Sequence, residues 1–180
     1  MPSRAAANPL QVRFDPNAPS RGNVLEVAAR GNDAPVALFD AVVCRDGDLT
    51  VKFRIDPKGS GAAGIVWRYR DAGNYYLLKF SAEQGMVRLL RVKNGVREPV
   101  ALRNGKQGEV AVRQEITAGV WHLAKVRFRG GGIRTYLGNR RLFEAWDDGL
   151  SGEGKAGVVT SGPGVAAFDD FRIEKKVGRL

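Results

Sequence analysis

Residues 62–93 hold a dense conjunction of aromatic and cationic side chains. Arg68, Arg70, Tyr75, Lys79 and Arg88 fall within three strand-like runs, Gly64–Arg70, Asn74–Phe80 and Met86–Lys93, separated by two breaks with hairpin chemistry. An aromatic ring beside guanidinium and ammonium groups suits a sugar. The ring meets the C–H face of a pyranose, and the donors meet its hydroxyls or, more strongly, a uronate or sulfate group. Side chains alternate along a strand, so Ile65, Trp67 and Tyr69 are expected on one face and Val66, Arg68 and Arg70 on the other. With Arg68 and Lys79 marking the outer side, Trp67 and Tyr76 enter the core and Tyr75 stands outside among cations. An extended polar ligand could lie there. The competing explanation is a sheet face that shows polar residues to water and binds nothing.

Catalytic chemistry is harder to find. Glycosidic hydrolysis needs two carboxyl groups held about 5–9 Å apart. Glu144, Asp147 and Asp148 come closest, but they run off a strand into the glycine-rich stretch 149–154, where an aspartate more simply supports a turn. His122 is the one histidine and Cys44 the one cysteine, so a histidine triad or a zinc centre has too few ligands. His122 is expected as a packed or rim residue and Cys44 as a small buried hydrophobe. The glycine-rich stretches 59–64 and 130–132 lack the Lys-Ser/Thr and following helix of a phosphate cradle and are expected as loops.

The elements that position these residues are short strands. Leu49, Val51, Phe53 and Ile55 alternate with Thr50, Lys52 and Arg54 in the clearest period-2 run of the chain. Asn94-Gly95 is a two-residue hairpin signal, which pairs the run Val96–Leu102 back onto Met86–Lys93. Further strands are expected at Leu10–Phe14, Val24–Arg30, Pro35–Cys44, Glu109–Arg113, Val120–Arg129, Ile133–Leu137, Arg141–Ala145, Lys155–Thr160 and Val165–Lys175, with a polar break over 103–108. No stretch sustains a helical period. The 23 glycines and turn signals every 8–12 residues predict an all-β, antiparallel two-sheet β-sandwich or jelly roll. Its organisation is expected as an extended N-terminal segment over 1–22, one sandwich domain over 23–176 and a tail over 177–180. Trp67, Trp121, Phe53, Phe171 and Ile173 are expected in one core.

A chain of 180 residues can bury that core without a staple. The formal net charge of +10 favours acidic partners. The cations are spread along strands rather than gathered in a tract, which argues against nucleic acid as the partner. No run of about 18 apolar residues is present to form a membrane-spanning helix. Met1–Asn8 has Arg4 and three alanines but no apolar region of export-signal length. The expected setting is nonetheless secreted or periplasmic.

The succession GIVWRYRD, NYYLL, VRLLRVKNG, GVWHLAKVRF, IRTYLGNRRLFEAWDD, GKAGVVTSG and FDDFRI resembles the concanavalin A-like lectin/glucanase superfamily over residues 24–174. Within it, the laminin-G-like domains and the 3-keto-disaccharide hydrolase domain are the nearest in pattern. The resemblance implies two antiparallel sheets and glycan binding or cleavage. The Glu-x-Asp-x-(x)-Glu strand of the superfamily's glucanases is missing. Pro163-Gly164 and Phe168-Asp169-Asp170-Phe171 replace the His-Gly and Phe-Arg-Asn-Ile that the hydrolase domain would carry. The resemblance also implies that Asp169 helps hold a structural calcium ion. Asp169 shares strand parity with Phe171 and Ile173, and an inward carboxylate is costly unless paired or metal-bound. Hydrogen bonds from backbone amides are the alternative. The expected work is non-catalytic carbohydrate binding, in particular of anionic glycans, with a glycoside-processing hydrolase or a ligand-free accessory domain as the other readings.

Overall fold

The computed structural model describes residues 8–103 and 109–177. Parts of the expected 103–108 break, the N-terminal segment and the tail therefore lie outside the described residues. Fourteen strands follow one another: β1 Leu10–Phe14, β2 Asn23–Ala29, β3 Val36–Cys44, β4 Gly47–Ile55, β5 Ala62–Asp71, β6 Asn74–Ser81, β7 Met86–Lys93, β8 Val96–Pro99, β9 Ala111–Arg113, β10 His122–Arg129, β11 Gly132–Leu137, β12 Arg140–Trp146, β13 Gly154–Ser161 and β14 Gly164–Lys175. The first sheet runs β1-β2-β14-β4-β10-β11-β12. The second runs β3-β13-β5-β6-β7-β8, with β9 also on β7. Every strand pair is antiparallel, and the two sheets form a sandwich, as the period-2 pattern predicts.

The core between the sheets is built from alternate residues. Leu49, Val51, Phe53 and Ile55 of β4 meet Ile65 and Trp67 of β5, Tyr76, Leu78 and Phe80 of β6, and Val126 and Phe128 of β10. Trp67 stacks on Tyr76 at 5.5 Å and on Phe128 at 5.8 Å, while Phe53 packs on Phe80 at 4.7 Å. Asn94 and Gly95 take φ of 51° and 79°, which a two-residue hairpin turn of mirror-image type requires.

Three of the expected core residues lie elsewhere in degree or in kind. Phe171 and Ile173 are only partly buried against the core. Trp121 is outside it, on the outer face of the first sheet with Ala18, Val24 and Ala167. The alternation of β10 explains this, because His122 pairs with Phe53 and turns inward, which leaves its neighbour on the opposite side. Arg54 covers the Trp121 ring at 4.9 Å.

Close backbone approach decides one position. A Cβ at Gly157 of β13 would be driven into the Ala37 carbonyl of β3. Gly157→Ala is therefore expected to lower the melting temperature although it adds one methyl. Trp67→Ala should cost about 3–5 kcal/mol in chemical denaturation, as large-to-small core changes do. A midpoint unchanged by either substitution would contradict this packing.

Candidate functional site

The site starts at an irregularity in β5. Trp67 pairs with Tyr76, but the two-residue turn pairs Asp71 with Asn74, so the register shifts between them. The bulge places Arg68 at φ 48°, a left-handed conformation that an arginine adopts only where its surroundings hold it. Two consequences follow. Arg68 turns into the molecule instead of outward, and Tyr69 comes out on the outer face, where it stacks on Tyr75 with ring centroids 5.2 Å apart.

Arg68 is thus not a ligand-facing residue, contrary to the sequence expectation. It is 1 % exposed. Its Nε donates to the Arg45 carbonyl at 2.8 Å, Nη1 to the Leu150 carbonyl at 2.9 Å, and Nη2 to the Gly130 carbonyl at 2.6 Å and to Asp46 Oδ1 at 3.3 Å. Burial lowers its pKa, with opposing support from Tyr76 and Asp46. Tyr76 extends the network. Its hydroxyl donates to Asp147 Oδ1 at 2.5 Å and accepts from the Leu150 amide, and burial, reinforced by Asp147, pushes its pKa up. Asp147 also accepts from Arg91 Nη1 at 2.6 Å and from the Gly149 amide at 2.9 Å, so it supports a turn, as expected. Glu144 is held by Arg134 and Arg141. Glu144 and Asp147 are therefore engaged in structural contacts, and Asp148 is exposed beside them.

The other expected residues divide. Tyr75 is on the outer face of the second sheet but is 7 % exposed, packed with Val66, Leu77, Val92 and Val159. Among the described residues no strand crosses this face, yet Val66 and Leu77 are only 0–1 % exposed. Their bulky neighbours Tyr69, Tyr75, Leu38 and Leu90 close over them. Tyr69, the more exposed of the stacked pair, is the available plate, and burial with Tyr75 and Asp71 nearby keeps its hydroxyl protonated by raising its pKa. Arg70 is exposed at the rim, its guanidinium set against Gly152 where a Cβ would collide.

Lys79 and Arg88 are where expected and face each other directly across β6 and β7. Arg97 of β8, which sequence reasoning missed, joins them. Burial lowers the Lys79 pKa, followed by the Arg97 and Arg88 charges. Arg97 lies opposite Val92 on the same face, so once the Asn94-Gly95 hairpin is assigned its position follows from alternation. None of the three forms an ion pair or a hydrogen bond with a described residue, whereas the first sheet's outer face is laced with ion pairs: Lys52–Asp170 at 2.7 Å, Arg54–Asp15 at 2.9 Å, Arg129–Asp48 at 2.6 Å and Arg134–Glu144 at 2.6 Å.

Asp169 does not share a face with Phe171 and Ile173. It pairs with Lys52 on the outer side, and a bulge before Arg172, with Asp170 at φ 51°, reverses the phase. Its Oδ2 accepts from the Ser20 amide and its Oδ1 from the Asp170 amide, each at 2.8 Å. The argument for calcium from an inward carboxylate is thereby removed. Among the described residues no group of three or more acidic, histidine or cysteine side chains gathers as a metal site. His122 packs on Phe53 with tilted rings 5.4 Å apart and hydrogen-bonds the Thr117 carbonyl, and Cys44 is buried in the core, as both were expected to be.

No protein-family model matches the chain, and no curated protein sequence does. Solved structures do. The carbohydrate-binding module CBM66 from Bacillus subtilis is similar with a TM-score of 0.71 at 21% identity, over 84% of this chain and 86% of that one. A Bacillus subtilis protein of unknown function with a galectin-like fold gives 0.64 at 13% identity, over 94% and 88%. A GH43 protein from Bacillus licheniformis gives 0.60 at 17% identity, over 88% of this chain but 34% of that one. The likeness is one of fold. It shows the chain to share the β-sandwich fold of these proteins.

Arg68→Leu should cost about 3–5 kcal/mol, the loss expected when a buried charged contact is broken, because its carbonyl acceptors and Asp46 lose their donor. Urea titration at neutral pH measures it, and a loss under about 1 kcal/mol would refute the buried hub. Asp169→Ala should cost about 1–3 kcal/mol by orphaning the Ser20 amide. The cost should be the same in calcium and in chelator. A loss seen only with calcium would return Asp169 to a metal site.

Proposed function

We propose that the chain is a non-catalytic carbohydrate-binding sandwich of concanavalin A-like type, and that the glycan lies on the outer face of the second sheet. The observation that carries this reading is the cluster Lys79, Arg88 and Arg97, which forms no ion pair with a described residue and has only the more distant Glu83 charge to offset it, beside the stacked Tyr69 and Tyr75. Like charges directly opposite on a sheet are destabilising. Lys52, Arg54, Arg129 and Arg134 of the first sheet are balanced by carboxylates, whereas Lys79, Arg88 and Arg97 have no ion pair with a described residue, so a ligand that brings negative charge would relieve the repulsion. Acidic glycans fit, with the uronate or sulfate on the cations and a sugar ring against Tyr69. From Tyr75 to Lys79 is about 13 Å along the strand at roughly 3.3 Å per residue, which calls for more than one sugar ring. That a similar fold is named a carbohydrate-binding module, and another galectin-like, supports the same class of ligand.

Calorimetric titration with acidic and neutral oligosaccharides of matched length tests the reading. The acidic series should bind more tightly and weaken with salt, since exposed charges are screened over about 8–10 Å. Tyr69→Ala should remove roughly 0.5–1.5 kcal/mol of affinity. Lys79→Ala and Arg88→Ala should each remove up to about 1 kcal/mol and flatten the salt dependence. Affinity is full while Lys79 is protonated and falls as pH rises through its lowered pKa, earlier than for an ordinary lysine. Lys79→Arg should abolish that fall. Equal binding of both series, or affinity indifferent to all three alanine variants, would sink the proposal. Tyr75→Ala is a stability variant and not a clean affinity probe, because its ring is packed into the floor.

A further inference from the structure

On the opposite side of the sandwich, the outer face of the first sheet holds a cavity of about 540 Å³. It lies where β1 and β2 meet the turn that leaves β2. Its floor is small: Ala28 and Val165, cross-strand partners, with Ala34 and Pro35 at one side. One wall is a fixed polar set. Gln11 and Glu26 face each other across β1 and β2, and Arg13 donates to Glu26 at 2.7 Å and to Gln11 Oε1 at 2.7 Å. The other wall is the turn Arg30–Asp33, closed by the Asp33 amide on the Arg30 carbonyl at 2.9 Å, with Gly31 at φ 53°. Arg30 and Asp33 both line the cavity. Neither forms an ion pair or a side-chain hydrogen bond with a described residue, although they are three positions apart on one turn.

This set excludes simple ions. Asp33 and Glu26 oppose an anion that Arg30 would attract, and Arg30 and Arg13 oppose a cation that Asp33 would attract. A neutral molecule with adjacent donors and acceptors satisfies both. We propose that the cavity is a second binding site, for the terminal ring of a neutral saccharide held through adjacent hydroxyls between Arg30 and Asp33, with Gln11 and Glu26 across from them and a C–H face on Ala28 and Val165. The volume falls within the range of small-ligand sites, about 300–1,000 Å³. It has room for a ring and exceeds the needs of a single carboxylate or ammonium group. The site does not rest on the tyrosine face and uses none of its residues.

The test is a backbone amide chemical-shift titration of the whole chain with a panel of neutral monosaccharides, and with glycine as a zwitterionic probe. At least one monosaccharide should shift the Ala28, Arg30 and Asp33 amides and saturate, with little dependence on salt. Arg30→Ala and Asp33→Ala, both at exposed positions, should each weaken that binding about tenfold, as loss of a hydrogen bond to a charged group does. Lys79→Ala with Arg88→Ala should leave it unchanged, which separates this site from the acidic-glycan face. Sugar binding indifferent to Arg30→Ala and Asp33→Ala, or no shift with any monosaccharide, would overturn the proposal. Shifts with glycine alone would also overturn it, in favour of a zwitterion site.

Discussion

The burial of one guanidinium constrains more of this molecule than any other contact. A charged group removed from water must have its donors met or it destabilises the fold by several kcal/mol. Arg68 meets that demand with the carbonyls of Arg45, Gly130 and Leu150. Those three acceptors belong to the turn between β3 and β4, the turn between β10 and β11, and the loop between β12 and β13, so one side chain fixes three connections at one end of the sandwich. The Asp46 carboxylate reinforces the closure by accepting from both Arg68 and the Gly130 amide. Tyr76, Asp147 and Arg91 extend the same network along the second sheet from β5 to β6 and β7.

The same arginine determines the functional face. Without the left-handed residue in β5, strict alternation would have sent Tyr69 to the core with Ile65 and Trp67. The bulge instead supplies the second ring of the tyrosine stack. The structural hub and the candidate ligand plate are therefore neighbours in sequence with opposite orientations, and changes to one disturb the other. The two outer faces show different electrostatic solutions to the same excess of basic residues. On the first sheet Lys52, Arg54, Arg129 and Arg134 are matched to carboxylates within about a hydrogen-bond length, and on the second a lysine and two arginines share a face without an ion pair to a described residue.

Much of this was legible in the chain. The alternation of Leu49–Ile55, the Asn94-Gly95 turn and the glycine spacing are local signals, and local signals suffice for strands, hairpins and the sandwich class. Lys79 and Arg88 were legible for the same reason, since both lie on uninterrupted strands with regular pairing. The failures cluster at bulges. The residues around Arg68 and Asp170 contain no glycine to mark a positive φ, and in both places the phase of the strand reverses because of distant partners: the backbone acceptors of Arg68 in one case, Ser20 and Lys52 around Asp169 and Asp170 in the other. Parity carried across such a point misplaces every residue beyond it. Trp121 was a different error, since the inward set of β10, His122 with Ala124, Val126 and Phe128, already puts its neighbour outside.

The acceptors of Arg68 lie 23, 62 and 82 residues away along the chain. No hairpin can satisfy this arginine by itself, and a partly assembled sandwich keeps it in water. Closing this end of the sandwich therefore requires the loop-closure entropy of both long connections to be met first, which is the kind of non-local topology expected to fold slowly whatever the strength of any one strand.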